Sequence, residues 1–298
     1  MRRVLRGPAL ALLLLLTLPC LSRAGSGTAD LLIIPSPGYP GHMRFGCAGP
    51  ALAGGPAALD GNPAAMTPGF AAAGGRWNLG TTEVSASGAF RLSGSLLAGI
   101  GARYLGRGGL VERDAEGLET GEYSFSSGMA GGGVSRTLFG GWSAGIALGV
   151  VWEDVGDQGG SGFTASAGIL GTPSDRLTVG ALLRGVGSSP SWNGIHKDMP
   201  TEIDAGARYT FNRLVSAFGG GKLGFNTPGS FCLGVEFMES GFSVSAGYEL
   251  SPDVDEATGI FGGIGYTYRS GEVYSVELAF SQRDRLEWPV LAGLSVLF

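Results

Sequence analysis

Lysine is nearly missing from this chain: among 298 residues it occurs only at Lys197 and Lys222. Charged residues of all kinds make up 15%, the net charge is −5, and no basic tract is present, which argues against a nucleic-acid partner. Two histidines and three cysteines supply too few ligands for most zinc or iron–sulfur frameworks, so neither metal nor cofactor is expected. No apolar stretch after Ala24 reaches the roughly 20 residues that a spanning helix needs. What the chain does have is glycine, 56 residues with no three-residue period, which excludes collagen. An apolar share of 44% argues equally against a disordered chain.

The first residues carry an export pattern. Arg2, Arg3 and Arg6 form a positive start, Ala9 to Leu18 an apolar core, and Ser22-Arg23-Ala24 a small-residue cleavage site. Residues 1–24 are therefore read as a signal peptide cut near Ala24. Thr17-Leu18-Pro19 before Cys20 is a poor lipobox. Four arginines leave with the peptide, so the mature chain carries 16 basic against 25 acidic residues, a net charge of −9.

Beyond residue 70 the signal is alternation. Trp142, Ala144, Ile146, Leu148, Val150 and Trp152 share one face of an extended stretch, while Ser143, Gly145, Ala147, Gly149, Val151 and Glu153 share the other. The pattern recurs in Leu177/Val179/Ala181/Leu183, Phe231/Leu233/Val235/Phe237 and Phe242/Val244/Ala246/Tyr248. Arg103, Arg184, Asp204, Arg208, Glu236, Glu249, Arg269 and Glu277 fall on the opposite, polar faces. A soluble sandwich would bury the apolar face, whereas an outer-membrane barrel turns it to lipid and lines its lumen with the polar one.

Connection lengths decide between the two. Fourteen strands are expected, starting near Ala71, Thr82, Gly94, Glu122, Trp142, Ser161, Leu177, Thr201, Leu214, Ser230, Phe242, Thr258, Glu272 and Pro289. The even-numbered connections are mostly tight, as at Leu92-Ser93, Gly140-Gly141 and Ser270-Gly271. The odd-numbered ones are longer and more polar, as at Gly106–Gly121, Asp154–Gly160 and Gly187–Pro200. Short turns on one rim, long loops on the other and an even strand count are features of outer-membrane barrels. The chain ends on the aromatic Phe298, and Trp77, Trp142, Trp152, Tyr209, Tyr248, Tyr268 and Trp288 suit interfacial girdles.

The organisation expected is thus a signal peptide (1–24), an N-terminal segment (25–69) and an all-β, fourteen-stranded antiparallel transmembrane barrel (70–298). The N-terminal segment is proline-rich, lacks sustained alternation, and could hold a short helix over Ala48 to Leu59. It either plugs the lumen or hangs in the periplasm. The expected location is the bacterial outer membrane, with lipid and the barrel-assembly machinery as partners.

Catalytic signals are thin, and no enzyme activity or catalytic residue is expected. Gly141-Trp142-Ser143-Ala144-Gly145 matches a nucleophile elbow, but that motif needs a strand-to-helix turn, and Ser143 opens a long alternating strand. Of the two bases, His42 lies in the proline-rich segment, and His196 falls in a loop at the opposite rim, out of reach of Ser143. Gly221-Lys222 is followed by Leu223, so no phosphate-binding loop is formed. Cys47 and Cys232 survive processing and either pair in an oxidising compartment or serve as separate small apolar residues. The polar-face charges either line a selective lumen or pack the interior as ion pairs.

Gly46-Cys47-Ala48-Gly49-Pro50-Ala51-Leu52-Ala53, followed by Asn62-Pro63-Ala64-Ala65-Met66, resembles the N-terminal signature of the PorV/PorQ family, part of the wider FadL-like group of fourteen-stranded barrels. Ala102-Arg103-Tyr104 with Glu119-Thr120-Gly121, Asp175 to Gly180, Leu183 to Gly187, Leu233 to Phe237 and Gly263 to Tyr268 resemble later parts of that family in order and spacing. Gly46, Gly49, Asn62 and Pro63 are its plug-motif positions. The chain departs from the pattern at Gly54-Gly55, where the family usually has an acidic pair, and at Asp60-Gly61, where it has aromatic residues. The resemblance implies a role in protein secretion (type IX) or cell-surface assembly, with secreted proteins or secretion components as partners. The FadL-like group suggests instead a passive transporter of hydrophobic small molecules, and a structural or adhesive surface barrel is a third reading.

Overall fold

The computed structural model describes residues 31, 33–77, 80–192, 195–196, 198–251, 258–282 and 288–298. The export segment lies outside them. The first strands are β1 (Gly69–Arg76), β2 (Thr82–Ser93), β3 (Leu96–Arg113), β4 (Glu119–Thr137), β5 (Trp142–Val155), β6 (Gln158–Ser174) and β7 (Leu177–Ser188). A two-stranded hairpin, β8 (Ser191–Trp192) and β9 (Ile195–His196), interrupts the series. The remaining strands are β10 (Glu202–Thr210), β11 (Val215–Gly224), β12 (Ser230–Glu239), β13 (Phe242–Leu250), β14 (Gly259–Ser270), β15 (Glu272–Ser281) and β16 (Val290–Leu297).

All but the small hairpin close into one antiparallel barrel of fourteen strands. Closure is made by β1 against β16, in register from Gly69↔Leu297 to Arg76↔Val290. It removes both sheet edges, as hydrocarbon requires, because an unpaired backbone group has no water there to bond.

The side chains divide as the alternation implies. Ile146, Leu148 and Val150 stand on the outer surface at 55%, 64% and 55% exposure, whereas Arg184 and Glu236 are 8% and 3% exposed in the interior. Exposed leucine, isoleucine, valine and phenylalanine continue round the circumference, as at Ile100, Ile169, Leu233, Val244, Ile264, Val276 and Leu294. A continuous apolar exterior of this extent is unstable in water and suits lipid. Replacing Leu148 with arginine is expected to destabilise the barrel in bilayers by about 2–4 kcal/mol, read from urea unfolding in lipid vesicles.

Aromatic rings crowd the rim that carries Gly69 and Phe298, called here the near rim. Phe70 touches Phe90 and Phe298 (ring centroids 5.4 and 5.7 Å apart), Tyr209 meets Phe211 at 5.1 Å, and Phe242 meets Tyr266 at 4.6 Å. Trp77 is not part of a girdle. It is buried inside the barrel at the opposite, far rim, packed with Leu105, Val151 and Met199.

Two of the expected long loops are mostly strand. β3 and β4 run on to leave only residues 114–118 between them, so Glu119 and Gly121 pair with Arg113 and Glu112, and Thr120 lies at a bulge between them. β5 and β6 are joined at residues 156–157, and the stretch read as an Asp154–Gly160 loop is ladder. These strands, 18 and 19 residues long in β3 and β4, exceed the roughly 9–11 that cross a bilayer. At their far ends Arg113 pairs with Glu119 at 2.6 Å, both side chains exposed, as expected of strand that overhangs a bilayer.

Alternation also breaks within strands, most consequentially in β7. Ala165 opposes Val186 while Ala167 opposes Leu183, so β7 carries one extra residue at Arg184–Gly185. Gly185 adopts φ +69°, the left-handed conformation such a bulge needs, and Val186 is thereby turned outward.

Candidate functional site

The interior of the barrel is filled by the chain ahead of β1. From Leu31 to Met66 this segment is almost wholly buried, in short helical turns at Pro40–Met43, Gly46–Ala48, Gly49–Leu52, Pro56–Asp60 and Pro63–Ala65. Prolines at the first positions of these turns suit them, because a missing N–H costs nothing there. Glycine on the inner wall makes the fit. A Cβ on Gly145 would lie 2.5 Å from the Pro63 carbonyl carbon, and one on Gly180 would lie 2.1 Å from the Ala51 oxygen. The plug thus lies directly on barrel backbone.

Charged and polar side chains tie the plug to the wall from several sides. Arg44, on the plug, is held between Glu236 of β12 and Glu277 of β15, 2.9 Å from the latter. Its carbonyl accepts a bond from the Ser245 hydroxyl of β13 at 3.0 Å. Across the lumen Arg103 of β3 donates to the carbonyls of Ser36 and Ile33, both at 2.8 Å, and lies 3.9 Å from Asp60. Glu83 of β2 accepts from the Ser36 hydroxyl (2.8 Å) and the Gly38 N–H (3.0 Å). Arg184 of β7 donates to the Ile34 carbonyl at 3.1 Å while facing Glu202 at 2.6 Å and Asp204 at 2.9 Å, both on β10. Buried charge is costly alone and tolerable when paired this way.

Asn62 caps the Pro63–Ala65 turn by accepting from the Ala64 N–H at 3.1 Å. Its amide donates to the carbonyls of Ala51 (3.0 Å), Ile169 (2.8 Å) and Ala181 (3.4 Å), so one side chain joins the plug to β6 and β7.

The remaining residues singled out in the sequence fall as follows. Gly46 has φ +57° and packs where a Cβ would meet the Phe261 ring at 2.5 Å. Gly49 approaches the His42 carbonyl so closely that a Cβ would lie 1.7 Å from it. Pro63 opens the turn capped by Asn62. Arg208 is half-buried, 3.6 Å from Glu236, and Glu249 accepts from Ser230 at 2.6 Å. Arg269 differs: it has the inward parity of β14 but is exposed at the near rim, outside the filled interior. Phe298 follows the last residue of β16 and packs on Phe70. Ser143 is the second residue of β5, paired with Leu170, and no strand-to-helix turn surrounds it.

Several interior residues were not singled out beforehand: Arg44, Glu83, Glu202, Phe218 and Phe261. Phe45 of the plug packs edge-on against Phe218 at 5.0 Å, beside Phe261, Cys47 and Cys232. Among the described residues the plug leaves small cavities beside it. One cavity of about 40 Å³ lies beside Ile34, Leu59, Arg103 and Met129, and another of about 50 Å³ beside His42, Cys47 and Lys222. Neither approaches the roughly 150 Å³ that accommodates benzene.

His42 belongs to the plug, outside the spanning strands, and is buried with its Nδ1 donating to the Pro37 carbonyl at 2.7 Å. Burial pushes its pKa down to about 4. The docked plug therefore binds fewer protons than the released one between about pH 4 and 6.5. This contribution to docking is complete above pH 6.5 and lost as pH falls toward 4. Protease release of the plug should rise over that window, and less steeply in His42→Asn, which keeps a donor for Pro37 but does not titrate.

The fold and its filled lumen define a plugged, fourteen-stranded barrel of the outer-membrane kind. No family model and no curated protein matches the chain. Among solved structures it is similar to the toluene transporter TbuX of Ralstonia pickettii, with TM-score 0.62, 14% identity, and 87% of this chain and 97% of that one covered. It is also similar to CymD, a monoaromatic hydrocarbon channel (TM-score 0.65, 14% identity, 87% and 97% covered). A third is the toluene transporter TodX of Pseudomonas putida (TM-score 0.60, 12% identity, 92% and 98% covered). At these identities the likeness is one of fold.

Proposed function

We propose that the chain is an outer-membrane channel for hydrophobic small molecules, opened by local movement of its plug. The observation that carries this reading is the apolar cluster inside the far rim. Trp77, Leu105, Val151 and Met199 project inward and pack against Leu31, Ile33 and Ile34 of the plug, with Phe125 and Met129 alongside. A pore for ions or sugars lines this position with charge and water. Here the inward face is greasy, and an apolar solute can take the place of the Leu31, Ile33 and Ile34 side chains while the Ile33 and Ile34 carbonyls keep their bonds from Arg103 and Arg184. The fold shared with three hydrocarbon channels is consistent with it, although fold alone does not assign function.

The secretion reading draws on the PorV/PorQ-like signature, but the residues of that signature are spent on packing within the lumen. Cys47, Ala48, Gly49, Asn62 and Pro63 are buried against the wall and present nothing to a protein partner. Deleting the gene and measuring both uptake of a monoaromatic hydrocarbon and the secreted proteome separates the two. Impaired uptake with unchanged secretion is the expected result. Lost secretion with normal uptake would overturn it and return the assembly role.

A further inference from the structure

We propose that Cys47 and Cys232 are joined by a disulfide in the mature protein, stapling the plug to β12. They are the only cysteines after the expected cleavage site, and one comes from the plug and the other from the wall. Both are buried in the cluster formed by Phe45, Ala48, Leu52, Phe218 and Phe261. The short turn Gly46–Ala48 presents Cys47 to the wall, in the same buried cluster as Cys232. The Cys232 thiol also donates to the Phe45 carbonyl at 3.6 Å, so the plug backbone on the N-terminal side of Cys47 is held against the same sulfur. On the other side, a Cβ added to Gly220, which pairs with Cys232, would lie 2.7 Å from the Ala48 Cβ. With its flanks fixed, Cys47 has little freedom to leave its partner. Two thiols brought into one buried cluster, one from the plug and one from the wall, are placed for oxidation to a disulfide.

The chemistry is an exchange with a protein disulfide oxidant, the class of reagent that serves exported chains. The thiolate of one cysteine attacks the oxidant's disulfide, forming a mixed disulfide and releasing one oxidant thiolate. The second cysteine's thiolate then attacks the sulfur of the first, closing the Cys47–Cys232 bond and releasing the other oxidant thiolate. Two electrons pass to the oxidant, and the two protons leave to solvent or to its thiolates. Because both sulfurs are buried in the finished barrel, the exchange belongs to assembly, before the lumen is sealed.

The staple sets limits on gating. With Cys47 fixed to β12 the plug cannot leave as a unit, and any passage must come from local movement on either side, the side chains of Leu31, Ile33 and Ile34 above all. The test is peptide mapping of the protein taken from outer membranes of aerobically grown cells, denatured in excess alkylating reagent without reductant. Trypsin should yield Phe45–Arg76 linked to Leu223–Arg269, lighter by two hydrogens than the sum of the free peptides, with both cysteines alkylated only after reduction. Equal alkylation with and without reductant, or a reducible link between two chains, would overturn the proposal. A Cys47→Ser/Cys232→Ser variant, which keeps small side chains at both positions, should fold with the usual heat-shifted mobility yet release its plug to protease several-fold faster. Unchanged release would show that no staple restrains the plug.

Discussion

Arg44→Ala is expected to turn a silent barrel into a conducting one. The substitution strands Glu236 and Glu277 in the interior, with only the partly exposed Arg208 left near Glu236, at 3.6 Å. Removing one partner of a buried ion pair typically costs about 3–5 kcal/mol. Arg44 sits on the plug and both carboxylates on the wall, so the cost falls on plug docking rather than on the strand ladders. A penalty of that size shifts the equilibrium between the seated and the locally displaced Arg44 segment by roughly two to four orders of magnitude. In planar bilayers the wild type should show rare brief openings, and Arg44→Ala long-lived conductance. Neutralising the stranded charges tests the cause. Arg44→Met combined with Glu236→Gln and Glu277→Gln should recover much of the closed state, because the neutral amides carry no uncompensated charge.

Arg184→Met should act on the barrel itself. Its guanidinium meets Glu202 and Asp204 of the neighbouring strand, both fully buried, and donates to the plug at Ile34. Lys222, 3.6 Å away, and the Thr227 hydroxyl, 2.9 Å away, still serve Glu202 after the change. Asp204 loses its close cation. The expected loss is again about 3–5 kcal/mol, but it appears as a lower unfolding temperature of the whole barrel. Arg184→Met/Asp204→Asn should lose clearly less than Arg184→Met alone. If both substitutions left the unfolding temperature unchanged, the β7–β10 cluster would have no structural role.

Strand parity was readable because lipid and lumen impose opposite chemistry on alternate residues. Ile146, Leu148 and Val150 could be placed outside, and Arg184 and Glu236 inside, without coordinates. Parity fails where the ladder slips: Val186 counts as inward until the bulge at Gly185 reverses it. Loop length was misread at 106–121 and 154–160 because strands that rise above the bilayer carry the glycine and charge of a water-exposed turn. Trp77 was misplaced because an aromatic at a strand end can face lipid or lumen, and only the packing of Leu31 and Ile33 around it decides.

The plug was the least legible part. Prolines mark 31–68 as irregular but not as interior, since short helical turns give no period with which to compute a buried face. One signal was present. Arg44 is the sole arginine or lysine between Ala24 and Arg76, and a lone arginine in an apolar stretch needs a carboxylate. The glycines of the wall, from Gly145 to Gly220, acquire meaning only when the plug atoms beside them are known.

The inside-out arrangement has a direct test. Spin labels at Leu148→Cys and Leu182→Cys, each in a Cys47→Ser/Cys232→Ser background and reconstituted in bilayers, report the solvent on the outer side of β5 and the inner side of β7. At residue 148 relaxation should respond strongly to oxygen, which concentrates in hydrocarbon, and weakly to a water-soluble nickel chelate. At residue 182, buried against the interior, neither agent should act strongly. A label at 148 relaxed more by nickel than by oxygen would place that face in water and contradict the barrel's membrane seating.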